Sequence, residues 1–133
     1  MTRSYRRTEM VATPRPTPDP ALVLTKATLR AAAQLGLSNA DLACVIGVSE
    51  ASASRLKTYA RMIGPDTKEG ELALMLVRVF RSLDPLVGGN ENKRIAWMES
   101  YNKALLGIPR QVIRKADGLV RTLSYLDGMR AAS

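Results

Sequence analysis

The chain has 133 residues, 46% of them apolar, and a formal net charge of +8. That length holds one domain or two small ones sharing a core, and the apolar share is too high for a disordered chain. The charge favours a polyanionic partner or an acidic protein surface. Histidine is absent, which removes the commonest general base and the commonest zinc ligand, and no cysteine cluster, phosphate loop or nucleophile elbow is present. Neither an enzyme nor a bound cofactor, metal or small-molecule substrate is therefore expected.

Residues 1–20 carry Pro14, Pro16, Pro18 and Pro20 among threonine, arginine and aspartate. Each proline blocks helix and sheet hydrogen bonding, so this stretch is expected to be a proline-rich basic arm. Its arginines could touch phosphates, or it could be a plain tail. Prolines rather than an apolar run follow the arginines, so no secretion signal is expected. No apolar run is long enough to span a membrane. The single cysteine, Cys44, cannot form an internal disulfide and reads as a small buried apolar group. A cytoplasmic, reducing compartment fits these features.

Residues 21–65 are expected to form a first module. Ala21 to Leu35 reads as a helix stopped by Gly36. From Asn39 to Leu56 the residues run Asn-Ala-Asp-Leu-Ala-Cys-Val-Ile-Gly-Val-Ser-Glu-Ala-Ser-Ala-Ser-Arg-Leu. Leu42 and Ile46 lie on one helical face and point inward. Ala43 is small enough for two helices to cross, Gly47 can take the positive φ that ends a helix, and Val48 anchors the turn. Ser38 or Asn39 caps the helix before the turn, and Ser49 caps the one after it. Ala53 and Leu56 return to the core. This is the pattern of a helix-turn-helix, whose second helix, here from about Glu50 to Met62, enters a DNA major groove.

The outward face of that helix is short, polar and basic, as contacts to base edges and phosphates require. Ser49, Glu50, Ser52, Ser54, Arg55 and Lys57 are the candidate DNA-binding residues, and Arg61 extends the basic patch. One such module covers half a site, so a homodimer on an inverted-repeat operator is expected. The segment resembles the Xre/Cro-type DNA-binding domain of bacterial and phage repressors.

Residues 66–89 read as a connecting or dimerisation helix and linker. Asp66 or Thr67 caps a helix from about Lys68 to Leu83. Its apolar stripe is Leu72, Leu76, Val79, Phe80 and Leu83, with Arg78 and Arg81 facing out. The stripe is either core or a dimer seam. Asp84-Pro85-Leu-Val-Gly88-Gly89 is expected to break the chain.

Residues 90–133 read as a small three-helix module, which makes the whole chain all-α. Asn90 to Leu106 is the expected next helix, with Ile95, Met98, Asn102 and Leu105 down one side. Asn102 is expected to bond the backbone of the turn that follows. Gly107 ends the helix, Pro109 opens a short one to about Ala116, and Asp117-Gly118 leads into a last helix from Leu119 to about Arg130. Leu119, Val120, Leu123 and Leu126 face this module's own core.

The order Trp97, Asn102, Gly107-x-Pro109, Gly118 resembles the C-terminal toxin-binding domain of Xre-, MbcA- and ParS-type antitoxins. Arg114-Lys115 departs from that pattern, which has a threonine-containing turn there. The resemblance runs from about Ala21 to the end. It implies an antitoxin of a type II toxin-antitoxin system that blocks the active site of a RES-domain, NAD-consuming toxin and represses its own operon. On that footing Trp97, Tyr101, Tyr125, Met129 and Arg130 are the candidate toxin-binding residues, and residues 123–133 are expected to reach the toxin's active-site mouth. The alternative is a stand-alone repressor whose C-terminal module only dimerises. A small-molecule-sensing regulator is a third reading, for which the sequence offers no polar pocket signature.

Overall fold

A computed structural model describes residues 17–132. Most of the expected N-terminal arm, residues 1–16, lies outside the described residues, as does Ser133. Seven helices and no strand are found among the described residues: α1 Pro20–Gln34, α2 Asn39–Ile46, α3 Glu50–Lys57, α4 Lys68–Leu86, α5 Glu91–Glu99, α6 Pro109–Val112 and α7 Ala116–Ala132.

Local chemistry sets most helix starts. Asp19 accepts the Ala21 N–H at 3.0 Å, with Pro20 in the first turn of α1, where its missing N–H is harmless. Ser38 and Asp41 form a reciprocal capping box on α2. Ser49, Thr67 and Asn90 cap α3, α4 and α5.

The ends depart more from expectation. α3 stops at Lys57 rather than near Met62, because Tyr59 takes a left-handed φ of 60° and the Arg61 N–H bonds back to Arg55 O at 3.2 Å. That reversal brings Ile63 into the core, where its N–H donates to the buried Thr25 hydroxyl at 2.8 Å. α4 continues through Asp84-Pro85 to Leu86, since a proline in the last turn removes only one late hydrogen bond. α5 ends at Glu99, not at Leu106. Residues 100–108 form a loop instead, pinned by an isolated bridge between Asn102 and Gly107. α6 is a single turn. α7 begins at Ala116 and takes Asp117 and Gly118 into its first turn. Gly118 is required there, because a Cβ would lie 2.0 Å from Val112 O.

α4 is the central helix and packs against α1, α2 and α7. Leu35, Leu42, Ile46, Leu56, Leu76, Val79, Leu83, Met98, Ile113, Leu119 and Leu126 belong to one continuous buried cluster. The apolar side of α7 therefore packs across α4 and not only on its own module. Val120, expected inside, is exposed. The α4 stripe is consumed by this core: Leu76, Val79 and Leu83 are buried, and Leu72 and Phe80 pack against them. The exposed apolar residue left on α4 is Leu74, beside Val23 of α1.

Candidate functional sites: a helix-turn-helix face and a C-terminal loop

α2 and α3 pack as the expected pair. Leu42, Ala43, Ile46, Ala53 and Leu56 are buried, Val48 is half-buried, and Gly47 turns the chain at φ 74°. Ala43 is buried, and the N–H groups of Gly47 and Val48 both close on its carbonyl, which ends α2 at the turn.

The candidate DNA residues divide by environment. Glu50, Ser54, Arg55 and Lys57 are exposed on α3, as is Ser49 at its start. Two are already engaged: the Ser49 Oγ caps the helix by accepting the Ser52 N–H, and Ser54 Oγ accepts from Asn39 Nδ2 at 3.2 Å. Ser52 is a correction. It is 7% exposed, and its Oγ lies within reach of Ser49, Arg55 and Arg61, so it braces the helix from inside. Position 52 sits one residue before Ala53 on the inward arc, which the outward assignment overlooked. Arg61 likewise turns in. Its Nη1 donates to Ser52 at 2.9 Å and its Nη2 pairs with Glu69 at 2.6 Å. The Glu69 backbone N–H, helped by the Arg61 cation, holds the Glu69 carboxyl below its usual pKa against the opposing effect of burial. Arg55 and Lys57 are left as the outward cations of α3. Tyr59, which the sequence reading did not single out, stands exposed just beyond them.

Cys44 is also a correction. It is exposed, and Arg114 Nη2 approaches its sulfur at 3.2 Å. Cys44 falls on the outward side of α2, between the buried Ala43 and Val45, where side chains from the α6 segment reach it. Arg110 and Arg114 straddle Asp41, with nitrogens 3.4 Å and 3.7 Å from its carboxylate, and Arg110 also faces Glu99 at 3.4 Å. Burial would raise the Asp41 pKa, but the Ser38 hydrogen bonds and the Arg110 cation outweigh it and hold the carboxyl below its ordinary value. Arg114, where the sequence departs from the resembled pattern, is thus part of the contact between the two halves.

Arg94 was not anticipated and is the most enclosed cation of the described residues. It is 4% exposed, donates to Gln34 O at 2.8 Å, pairs with Asp84 at 2.7 Å, and lies 5.7 Å from the centre of the Phe80 ring. It ties α5 to the ends of α1 and α4. The only advance signal was an arginine on the side of α5 that also carries Met98.

The expected toxin-binding residues do not form one cluster. Trp97 is half-buried and, with Lys93, Ala96, Tyr101 and Asn102, lines a shallow cleft beside α5, while Tyr101 is exposed. Asn102 does bond the following turn, accepting the Leu105 N–H at 3.1 Å. Tyr125, Met129 and Arg130 lie at the far end of α7. Tyr125 is half-buried and Met129 exposed. Arg130 reaches Ser82 at 3.3 Å, and Ser82 donates to Asp127 at 2.7 Å, which also faces Arg78. The last turns of α7 are therefore tied to α4.

Among the described residues no group of acidic, cysteine or histidine side chains could hold a metal ion, and no helix is long and apolar enough to cross a membrane. Two family models match the chain. Residues 14–78 match the antitoxin Xre-like helix-turn-helix domain, and residues 82–131 match the antitoxin Xre/MbcA/ParS C-terminal toxin-binding domain. No curated protein matches it in sequence. Both matched families are regulatory rather than enzymatic. With the two matches in series on an all-helical fold whose first half has helix-turn-helix geometry, the chain has the organisation of a type II toxin-antitoxin antitoxin, an antitoxin-type helix-turn-helix domain followed by a toxin-binding domain.

Proposed function

We propose that this antitoxin neutralises a RES-domain, NAD-consuming toxin by covering its active site and represses its own operon through α3. The observation that carries the first half is the match of residues 82–131 to a toxin-binding domain, combined with a final helix whose end is anchored rather than loose. An anchored end can present Tyr125 and Met129 to a partner with little ordering cost. Trp97 and Tyr101 supply a second apolar and aromatic contact area at the other side of the module.

The second half rests on the exposed cations of α3. Arg55 and Lys57 are proposed to contact the operator, with Ser49, Glu50 and Ser54 beside them as polar neighbours. A half-site module needs a homodimer. The exposed Val23 and Leu74, in a groove with Glu71 and Arg81 at its lining, suit a second copy, since a two-fold axis would bring acidic and basic rims together. The antitoxin is proposed to act in the cytoplasm, where both partners lie.

Co-expression with the product of the neighbouring gene tests the reading. Full-length antitoxin should restore growth, and a chain ending at Gly89 should not. Truncation within α7 must respect its anchors. Removing residues 127–133 deletes Asp127 and Arg130 and with them the ties of α7 to Ser82 of α4. Substituting Met129→Ala and Tyr125→Ala keeps the anchors. If that double variant protects cells as well as the parent, the end of α7 is not at the toxin's mouth.

A further inference from the structure

Leu106 is the most exposed large apolar residue of the described chain, at 78%. Its backbone is also in the left-handed region, at φ 55°, which a branched side chain rarely adopts. The surrounding loop enforces this. Asn102 and Gly107 bridge at 2.8 and 3.3 Å, the Asn102 side chain holds the Leu105 N–H, and Leu106 N–H reaches Lys103 O at 3.3 Å. Leu105 is buried beneath, and Arg121 of α7 donates to its carbonyl at 3.1 Å. A short, braced loop thus lifts one leucine into solvent at a position where glycine would relieve both the strain and the exposure. Folding gains nothing from that arrangement. Residues in sparse backbone regions persist where function requires them, and a single ordered apolar side chain at a loop tip suits insertion into a partner's pocket.

We infer that Leu106 is a docking knob for the cognate toxin, which would receive it in an apolar pocket bordered by acidic groups. The second half of that description follows from Lys103 on the same loop and Arg121 beside it. The inference rests on the toxin-binding reading of residues 82–131, within which the loop lies.

The test is Leu106→Gly in the full-length antitoxin, measured against the purified product of the neighbouring gene as toxin. Toxin affinity should fall about tenfold or more, as for an interface anchor. The melting temperature should stay level or rise, because the substitution removes strain and no buried contact. Leu106→Asn, which keeps a side chain that tolerates this backbone, should match the glycine variant in binding. Unchanged affinity in both variants would overturn the knob. A fall in affinity accompanied by an equal loss of melting temperature would also overturn it, since the leucine would then be structural. Tyr101→Asp separates the two levels of the argument. If it abolishes binding while Leu106→Gly does not, the module still docks the toxin and only the knob is wrong. If the parent itself does not bind, the toxin-binding reading fails first.

Discussion

The two halves of this antitoxin are held by interactions of different range. The caps and the turn of the helix-turn-helix are set by contacts three or four residues apart: the Ser38–Asp41 capping box, the Ser49 cap, and the Gly47 N–H on Ala43 O. The C-terminal half depends on partners far along the chain. Arg94 holds Gln34, Ser82 holds Asp127, and Arg110 holds Asp41. A turn built from local contacts is specified by its own residues. A module built on distant anchors has its docking surface set by the other half of the protein. The same contrast shows in the two residues other than glycine with positive φ, Tyr59 and Leu106. Tyr59 follows the end of a regular helix, whereas Leu106 tips a loop braced by its own residues and by Arg121 of α7.

The contrast can be broken most severely at Arg94. Arg94→Ala should cost about 3 kcal/mol, because it strands the Gln34 carbonyl and one carboxylate oxygen of Asp84 at a buried junction. Urea unfolding would show the loss, and hydrogen exchange should place it in α5 and the ends of α1 and α4. A loss under about 0.5 kcal/mol, the range of an ordinary surface change, would mean the junction is not structural.

A smaller effect is expected on the DNA side. Arg55→Ala should weaken operator binding by about 1–3 kcal/mol if the guanidinium reads a base, and Lys57→Ala should lower it more evenly across sequences. Neither should move the melting temperature by more than a degree or two, as both side chains face solvent. Gel-shift titration at two salt concentrations checks both statements. Equal operator affinity for the parent and the double variant would remove α3 as the reading helix.

Asp41 sharpens the comparison most finely, because it belongs to both kinds of contact. Asp41→Asn should cost about 1 kcal/mol at neutral pH, the worth of a cap. The effect should also depend on pH. The folded carboxyl titrates below its unfolded value, so its stabilisation is complete above the ordinary carboxylate range, near pH 4, and is lost as pH falls through the folded value. The acid limb of the stability profile should therefore be shallower in Asp41→Asn than in the parent. Parallel limbs would show that the Ser38 and Arg110 contacts do not favour the charged form.

These ranges also decide what could be read in advance. The helix-turn-helix was legible because caps and turns obey local rules, and the structure bears out the Ser38 and Ser49 caps, the Gly47 turn and the inward Leu42, Ala43, Ile46, Ala53 and Leu56. Its outward face was read less well. Ser52 turned inward because helical spacing alone does not say which way a residue on the edge of the arc will face. The C-terminal half was legible as helices and turns, and Asn102 was correctly placed against its turn. The α5 boundary was missed because the Asn102–Gly107 bridge overrides the propensity of Lys103 to Leu106 for helix. Cys44 was expected inside and lies outside, and Arg94 was not singled out; each meets a partner sixty or more positions away. Leu106 carries no sequence signal as a knob, because nothing local marks a leucine as left-handed.

The central claim is that one face of a single folded body reads DNA and another binds toxin. The direct measurement is a crossed titration. The Arg55→Ala/Lys57→Ala and Tyr101→Asp/Leu106→Gly variants are each assayed by calorimetry against the toxin and by gel shift against a duplex from the gene's own promoter. The account predicts that the first pair loses the operator and keeps the toxin, and that the second loses the toxin and keeps the operator. A pair of substitutions that weakened both partners equally, with the fold intact, would contradict it.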